Sequence, residues 1–312
     1  MTGILTLERS GREATLPSTV APRALCWSMI VISDKRCLDY VRPGHPESPA
    51  RVARTLDLLE TQGDISIDWR EPFLATDAPI VRVHSPEHLT SLSGGVDFDA
   101  DTPALPGISE HARRSVGGAL LAMNCALDGH PAFSLLRPPG HHATPERAMG
   151  FCYLNQVAIA AMEARANGLR VAVFDFDVHH GNGTEEILHG KTDVLYVSVH
   201  QSPCYPGTGR SSRGNCRNFP MAPELPRDEY RDALSMAWDD VVQFRPDLVA
   251  VSAGFDAYRG DPLAQELLEG EDFESLGRDL RSLAVPTFAV LEGGYSTDLP
   301  DLVLGFLRGW EG

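Results

Sequence analysis

The stretch Val171-Ala-Val-Phe-Asp-Phe-Asp-Val-His-His-Gly-Asn-Gly-Thr184 joins the pattern of a buried strand to a cluster of polar side chains. An apolar, β-branched run leads into Asp175, Asp177 and His179, which occupy alternate positions. Because alternate residues of an extended chain point to the same face, the two carboxylates and the imidazole can converge on one point. The stretch therefore predicts a strand of a buried parallel sheet with a functional site at its end.

The polar cluster has the donor chemistry of a metal site. Carboxylate oxygen and imidazole nitrogen suit a divalent ion of the zinc type, and three protein ligands leave one coordination position for water. Only two or three of the clustered groups can bind one ion, so a further ligand is expected from elsewhere in the chain. The alternative is that these residues cap the next helix, since Gly181-Asn-Gly-Thr184 resembles a helix start. Capping requires only one oxygen, and we favour the metal interpretation.

The composition predicts a soluble globular protein of one large domain or two smaller ones. The 312 residues are 43% hydrophobic and 22% charged, which are ordinary values. No apolar run approaches the roughly 20 residues that span a membrane, and the N-terminus lacks the basic flank and apolar core of a secretory signal. The six cysteines form no CxxC pair, so we expect reduced thiols in a cytoplasmic protein.

The chain is acidic, with 43 Asp and Glu residues against 27 Lys and Arg residues and a net charge of −16. A general nucleic-acid binder needs a basic face, so direct binding of nucleic acid is not expected. The charge is compatible with cationic ligands such as lysine side chains or polyamines, through long-range attraction. On charge alone, solubility is the favoured explanation.

Short apolar runs alternate with helical patterns from Trp27 onward. The runs lie at 28–32, 131–136, 171–176, 193–199, 247–253 and 286–291, and the helical patterns at about 49–61, 109–128, 155–167, 228–243, 271–283 and 299–308. This alternation, without a long linker, predicts one α/β domain over residues 26–312, in which helices flank a central parallel sheet in three layers. Residues 1–25 lack a sustained period and are predicted to form a poorly structured tail.

Five of the apolar runs end in polar clusters. In chain order they lead into Arg137-Pro-Pro-Gly-His-His142, the cluster at 175–180, Ser198 and His200 followed by Tyr205-Pro-Gly-Thr-Gly209, Ala253-Gly-Phe-Asp256, and Glu292-Gly-Gly-Tyr295. Ligand sites of open parallel sheets lie at the carboxyl ends of the strands. The five clusters therefore predict a single site on one edge of the sheet.

Asp256 is the candidate third ligand beside Asp177 and His179, although a turn-forming aspartate is the alternative. His141 and His142 follow a stiff Pro-Pro-Gly approach, and a histidine pair beside a metal can take a proton from water and return one to a leaving amine. Their alternative is an incidental surface position.

Two further side chains have candidate roles at the same edge. Asp175 could orient one of the histidines. Tyr295 follows two glycines, and its phenol could donate a hydrogen bond to a developing oxyanion; a packed structural tyrosine is the alternative.

Taken together, these motifs resemble the zinc-dependent histone deacetylase family, which has the arginase/deacetylase fold. The matching strings are His45-Pro-Glu47, Arg137-Pro-Pro-Gly-His-His142, Gly150-Phe-Cys-Tyr-Leu-Asn155, Asp175-Phe-Asp-Val-His-His-Gly-Asn-Gly183, Tyr205-Pro-Gly-Thr-Gly209, Ser252-Ala-Gly-Phe-Asp256 and Glu292-Gly-Gly-Tyr295. They occur in the family's order over about residues 28–308. Their form resembles the class II branch and its bacterial relatives.

The resemblance implies a role for each matching residue. One catalytic zinc ion, replaceable by Fe²⁺ or Co²⁺, would be bound by Asp177, His179 and Asp256. The reacting groups would be Tyr295 at the acyl carbonyl, His142 as general base and acid, and His141 with Asp175 as an electrostatic pair. The substrate tunnel would be lined by Gly150, Phe151, Tyr205, Leu263 and Gly293, with Arg51 in an acetate-release channel and Asp101 at the rim. A structural potassium ion would take oxygens of Asp175, Asp177, His179, Ser198 and Val199.

Asn182 departs from the class I pattern, in which an aspartate partners the second histidine. A neutral partner does not stabilise an imidazolium as a carboxylate does, so His142 is expected to stay neutral more readily. The departure is typical of the class II form and favours a base role for His142.

The resemblance leaves two substrate classes open, acyl-lysine proteins and acetylpolyamines. The polyamine-selective class II branch has an acidic residue after Gly-Asp-Pro, whereas Gly260-Asp-Pro-Leu263 ends in leucine. The region 88–111 also lacks the long insertion of dimeric bacterial amidohydrolases. We therefore expect removal of acyl groups from N-ε-acyl-lysine in peptides or proteins, with an acetylpolyamine or another small amide as the alternative.

Two other functions are less well supported. A silent acyl-lysine-binding or metal-binding scaffold would not need the proton-transfer pair, and a ureohydrolase would need a two-metal site.

Overall fold

The computed structural model describes residues 28–312. The predicted tail at 1–25 lies outside the described residues. Across residues 28–312, no helix combines the length and the apolar character that crossing a membrane requires.

A parallel sheet of eight strands forms the centre of the described chain. Its order is β2-β1-β3-β8-β7-β4-β5-β6, and every neighbouring pair is parallel. The strands are β1 Met29–Ile32, β2 Ile67–Arg70, β3 Ala132–Ser134, β4 Val171–Asp175, β5 Val194–Gln201, β6 Cys216–Met221, β7 Leu248–Ala253 and β8 Thr287–Leu291. All carboxyl ends therefore lie on one edge of the sheet, as the sequence predicted.

The six predicted apolar runs correspond to β1, β3, β4, β5, β7 and β8. The sequence analysis missed β2 and β6, which are the two outermost strands. Strands such as β4 and β7 are buried at every residue, whereas Trp69 on β2 and Arg217 on β6 are exposed to solvent. An edge strand covered on one side carries no continuous apolar run, so its pattern resembles a loop.

The connections are mostly helical. The helices are α1 Pro49–Thr61, α2 Asp77–Ile80, α3 Pro86–Ser91, α4 Ile108–Leu127, α5 Gln156–Ala166, α6 Asn182–Leu188, α7 Arg227–Phe244, α8 Gly270–Ser282 and α9 Leu299–Glu311, with a 3₁₀ turn at Lys35–Leu38. The six long helices match the predicted patterns within three residues at each end, and α1 begins at a proline suited to the first helical position.

Adjacent residues of β3 show that helices cover both faces of the sheet. The Phe133 ring packs against Phe306 of α9, with ring centres 6.2 Å apart. The next side chain, Ser134, lies so close to Gly118 of α4 that a Cβ there would be 2.6 Å from its hydroxyl oxygen. Neighbouring strand residues point to opposite faces, so α4 and α9 lie on opposite sides. The predicted three-layer α/β domain is confirmed.

An aromatic cluster anchors the strand end that carries the polar motif. Phe176 lies between Asp175 and Asp177 in the chain, and its ring packs against Phe255 and Phe306 at 5.9 and 5.6 Å between centres. Replacing such a buried phenylalanine by alanine costs about 3–5 kcal/mol. Because Phe176 packs into the core, the carboxylates of Asp175 and Asp177 on either side of it point away from the core, toward the edge of the sheet.

Candidate active site

Asp177, His179 and Asp256, here called the Asp–His–Asp cluster, converge at the carboxyl ends of β4 and β7. The His179 Nδ1 atom lies 3.2 Å from Asp177 Oδ1 and 3.0 Å from Asp256 Oδ2. One donor atom from each of the three residues falls within 4.8 Å of the other two. The structure thus brings together the three predicted ligands, which come from chain segments about 80 residues apart.

Backbone amides fix both carboxylates of the cluster. Asp177 Oδ2 accepts from Gly293 N at 2.7 Å, and Asp256 Oδ1 accepts from Val178 N at 2.9 Å. A Cβ at Gly293 would lie 2.1 Å from Asp256 Oδ2, and a Cβ at Gly254 would lie 2.2 Å from Asp177 Oδ2. Only glycine leaves room for the carboxylates at these two positions.

The donor set fits a divalent metal ion. Two fully buried carboxylates face each other across a single imidazole, and buried negative charges of this kind require a cation as a partner. Carboxylate oxygen and imidazole nitrogen both bind zinc, and a set of three protein ligands leaves one coordination position open, as in catalytic zinc sites.

His141 and His142 lie side by side next to the cluster, with ring centres 4.0 Å apart. His141 Nδ1 lies 3.2 Å from Asp175 Oδ2, which also accepts from the Tyr196 hydroxyl at 3.0 Å. His142 Nδ1 lies 2.9 Å from the side-chain oxygen of Asn182. The two imidazoles therefore have different partners, one a carboxylate and the other a neutral amide.

The surroundings of the two histidines separate their pKa values. Burial by itself lowers the pKa of His141, but the carboxylates of Asp177 and Asp175 outweigh burial and raise it to about 10. Burial, together with the neighbouring His141, lowers the pKa of His142 well below its ordinary value. A cation in the Asp–His–Asp cluster would offset the charge of Asp177 and leave Asp175 as the main partner of His141. An adjacent pair with separated pKa values provides one cationic and one neutral imidazole.

Residues 292–296, here called the Gly-Gly-Tyr turn, follow β8 and carry Tyr295 to the site. Gly294 has a φ of 114°, which side-chain-bearing residues rarely adopt. Arg51 from α1 supports the turn: its Nε donates to Gly294 O and its Nη2 donates to Glu292 O, both at 2.6 Å. Its guanidinium carbon lies 4.6 Å from the centre of the Tyr295 ring.

Arg51 belongs to a buried ion network behind the Gly-Gly-Tyr turn. Glu47 lies between it and Arg137: Arg51 Nη1 is 3.3 Å from Glu47 Oε1, and Arg137 Nη2 donates to Glu47 Oε2 at 2.8 Å. All three side chains are buried. Two arginines around one glutamate leave a net positive charge behind Tyr295, and the acetate channel at Arg51 stays a prediction.

A cavity of about 300 Å³ opens above these groups. Its lining includes the five predicted tunnel residues, together with His141, His142, His179, Tyr295 and Asp101. The Phe151 ring meets that of Tyr295 edge to face at 5.8 Å, and the Tyr205 ring meets that of His142 in the same way at 5.0 Å. The cavity is therefore a pocket with aromatic walls and a polar floor.

The sequence analysis assigned no role to two residues at or behind the pocket. His45 lines the pocket, where its Nε2 lies 3.0 Å from the backbone oxygen of Asp101 and its ring packs edge-on against Phe151 at 4.7 Å. Glu292 is fully buried, and its Oε2 accepts from the backbone amides of Gly140 at 2.7 Å and His141 at 3.2 Å. The motif strings contain both residues, but the sequence gives no indication of these backbone partners.

The five residues predicted for a potassium ion lie on β5 and at or just after the end of β4, and His179 among them also lines the pocket. Asp175 and Ser198 face each other in the register of β4 and β5. The Ser198 hydroxyl lies 2.8 Å from His200 Nδ1, and the Val199 carbonyl accepts from the Tyr230 hydroxyl at 3.4 Å. The structure places these five residues close to one another at the strand ends, and the potassium site stays a prediction.

Comparisons with known proteins identify the family and the fold. The model of the histone deacetylase domain matches residues 45–305. A probable deacetylase of Methanothermobacter thermautotrophicus is 42% identical in an alignment of length 302 that covers 91% of each chain. Among solved structures, the HD domain of HDA15 has a TM-score of 0.84 at 30% identity and covers 92% of this chain and 90% of its own. An acetylpolyamine aminohydrolase from Burkholderia pseudomallei has a TM-score of 0.80 at 30% identity, with 91% of this chain and 98% of its own covered.

The chain belongs to the histone deacetylase family. It is a hydrolase that acts on amides, in a family that is generally zinc-dependent.

Proposed function

We propose that this protein removes acetyl or similar acyl groups from N-ε-acyl-lysine side chains of peptides or proteins. The observation that carries this proposal is the pocket itself: its aromatic walls lead to a floor formed by Tyr295, the histidine pair and His179, the member of the Asp–His–Asp cluster that lines the pocket. Apolar walls suit the methylenes of a lysine side chain, and the polar floor suits an amide.

The metal would be held by Asp177, His179 and Asp256. A zinc ion bound there would act as a Lewis acid on the acyl carbonyl and on water. The same three ligands could also bind Fe²⁺ or Co²⁺.

The chain's own residues supply proton transfer and charge stabilisation. His142, kept neutral by burial and by the neighbouring charged His141, takes a proton from the attacking water and returns one to the lysine nitrogen as the C–N bond breaks. His141 is held in its charged form by Asp175 and stabilises the negative charge that develops beside it. The Tyr295 hydroxyl donates a hydrogen bond to the carbonyl oxygen as it becomes an oxyanion.

The mouth of the pocket favours acyl-lysine over a polyamine. Leu263 lines the pocket there and offers no charge to the second ammonium of a polyamine. Asp101 lies at the same opening, exposed to solvent, where its carboxylate can receive the backbone amides of a peptide. We therefore place Asp101 at the substrate backbone and Arg51 at the exit of the released acetate.

Acetylpolyamine hydrolysis is the second candidate. The likeness to an acetylpolyamine aminohydrolase of known structure supports it, and the excess of acidic residues in this chain suits a polycation.

Three further predictions remain predictions: the potassium ion at the strand ends, the domain limits 26–312 and the cytoplasmic location.

The deciding experiment compares acyl-lysine peptides with N-acetylputrescine on the zinc-loaded protein, with Tyr295→Phe as the control. We expect hydrolysis of the peptides, inhibition by a hydroxamate, and a loss of about 100-fold or more in the variant. Activity on N-acetylputrescine alone would establish the second candidate. No hydrolysis of either by fully metallated protein would contradict both, and two transition metals per chain would indicate a ureohydrolase site instead.

A further inference from the structure

The Gly-Gly-Tyr turn has little rigidity of its own. Glycine has more backbone freedom than any other residue, and Gly293 and Gly294 have no side chains that would restrain the turn. The phenol must nevertheless stay in one place, since a donor stabilises an oxyanion only when it is held at the right position. The position of Tyr295 therefore depends on contacts from outside the turn.

Two side chains hold the first half of the turn. Arg51 donates to the carbonyl oxygens of Glu292 and Gly294, and Asp177 accepts from the amide of Gly293. Arg51 also contacts the Tyr295 ring, with its guanidinium carbon 4.6 Å from the ring centre, but the backbone hydrogen bonds of Arg51 and Asp177 end before Tyr295. They leave the backbone of Tyr295 itself to another partner.

Asp261 holds the second half. Its Oδ2 accepts from the amide of Tyr295 at 2.6 Å and from that of Ser296 at 3.2 Å. Its Oδ1 accepts from the amide of Leu263 at 2.9 Å. Asp261 is only 6% exposed, so water competes little for these hydrogen bonds. One carboxylate thus connects the backbone that carries the phenol to the segment that carries Leu263 at the pocket mouth.

We propose that Asp261 is a positioning residue, which fixes the Tyr295 phenol over the pocket floor and couples it to the Leu263 segment at the mouth. The inference rests on the proposed function, because the phenol has its chemical role there. Asp261 does not line the pocket and acts through Tyr295. A change in the segment that carries Leu263 should therefore alter the rate of the chemical step as well as the fit of the substrate.

The first test is Asp261→Asn, alone and combined with Tyr295→Phe. Asparagine keeps the size of the side chain but replaces one acceptor oxygen by a donor, so at least one backbone amide loses its partner. We expect kcat on an acetyl-lysine peptide to fall about 10- to 100-fold, because a misplacement of 1 Å can cost about 100-fold. KM and zinc content should stay within about threefold.

The Tyr295→Phe background separates positioning from general damage. Without the phenol, Asp261→Asn should cost less than about threefold, since coupled residues give non-additive losses. Equal losses in both backgrounds would show that Asp261 does not act through Tyr295.

A second measurement needs no activity. In protein labelled with 3-fluorotyrosine, the ¹⁹F resonance of Tyr295 is identified by its absence in Tyr295→Phe. We expect it to shift or broaden in Asp261→Asn. It should stay in place in Asp272→Asn, whose buried carboxylate likewise accepts a backbone amide, that of Glu269 at 2.8 Å.

The two measurements distinguish the two proposals. An unmoved Tyr295 resonance in Asp261→Asn would overturn the positioning role, whatever the wild-type protein hydrolyses. A moved resonance together with wild-type protein that does not hydrolyse the peptide would overturn the substrate proposal alone. Should Asp261→Asn fail to fold, Asp261→Glu provides the same comparison, because it keeps the charge and displaces the carboxylate by one methylene.

Discussion

The floor and the mouth of the pocket are built in different ways. The floor comprises the Asp–His–Asp cluster, His141, His142 and Tyr295, and its groups follow buried strands and are fixed by backbone amides. The mouth comprises Asp101, Tyr205 and Leu263, which lie on loops; Tyr205 is 38% exposed. The strand ends can therefore position the reacting groups, while the loops above them determine which substrate binds.

The largest effect is expected at the floor, from Asp256→Asn. The variant keeps the shape of the side chain but removes one of the two buried charges that face the metal position. Loss of a partner outside the ligand set already costs about 10- to 100-fold, so we expect kcat/KM to fall more than about 1,000-fold. Zinc content, measured by elemental analysis, should fall below one per chain.

Asp247→Asn is the matched control at the other end of the same strand. Asp247 directly precedes β7 and accepts from the amide of Arg170 at 2.9 Å, but it lies at the amino-end edge, far from the pocket. Zinc content and activity should both match wild type. Full zinc occupancy in Asp256→Asn would exclude Asp256 as a ligand.

The next effect is expected from His142→Ala. Removing the neutral imidazole abolishes the proton transfer, which contributes about 100- to 10,000-fold, while the metal ligands stay in place. We expect kcat to fall in that range with zinc content unchanged, and the exposed His189→Ala to behave as wild type. A variant with unchanged kcat and raised KM would show that His142 serves binding only.

A smaller and selective effect is expected at the mouth, from Leu263→Glu. A carboxylate there would attract the second ammonium of a polyamine, and an exposed charge pair contributes up to about 1 kcal/mol. We expect kcat/KM on N-acetylputrescine to rise about fivefold relative to an acetyl-lysine peptide. Leu267→Glu is the matched control, because Leu267 is 40% exposed on the same segment but does not line the pocket. An equal gain in both variants would indicate a general charge effect.

The floor could be predicted from sequence because its signals are local. Asp175, Asp177 and His179 alternate directly after an apolar run, and all carboxyl ends of a parallel sheet share one edge. The supporting contacts could not be predicted in this way. Asp261 and Glu292 hold backbone amides that are 34 and 152 positions away, and a backbone amide has no residue type that would mark it as a partner.

The mouth also shows where sequence patterns lose information. Asp101 was predicted at the rim only through a resemblance; in the structure it lines the pocket, and its role at the rim stays a prediction. The edge strand β6, which follows the loop of Tyr205, was missed because its residues alternate between buried and exposed. Loops and edge strands depend on contacts that a local pattern does not contain.

The smallest effect is expected from Asp101→Asn, which removes a negative charge from the pocket mouth and leaves the loop conformation unchanged. His45 contacts the backbone oxygen of Asp101 and not its carboxylate, so the loop should keep its position in the variant. We expect KM to rise about threefold for an acetyl-lysine peptide with basic neighbours and less for a neutral peptide. The rise in KM should become more similar for the two peptides at 0.5 M salt, because the Debye length is then well below its value of about 10 Å at 0.1 M. Asp57 is exposed on α1 and remote from the pocket, so Asp57→Asn should leave the KM of both peptides unchanged. A loss that is equal for both peptides and insensitive to salt would mean that Asp101 binds the substrate backbone through hydrogen bonds and contributes nothing to charge selection.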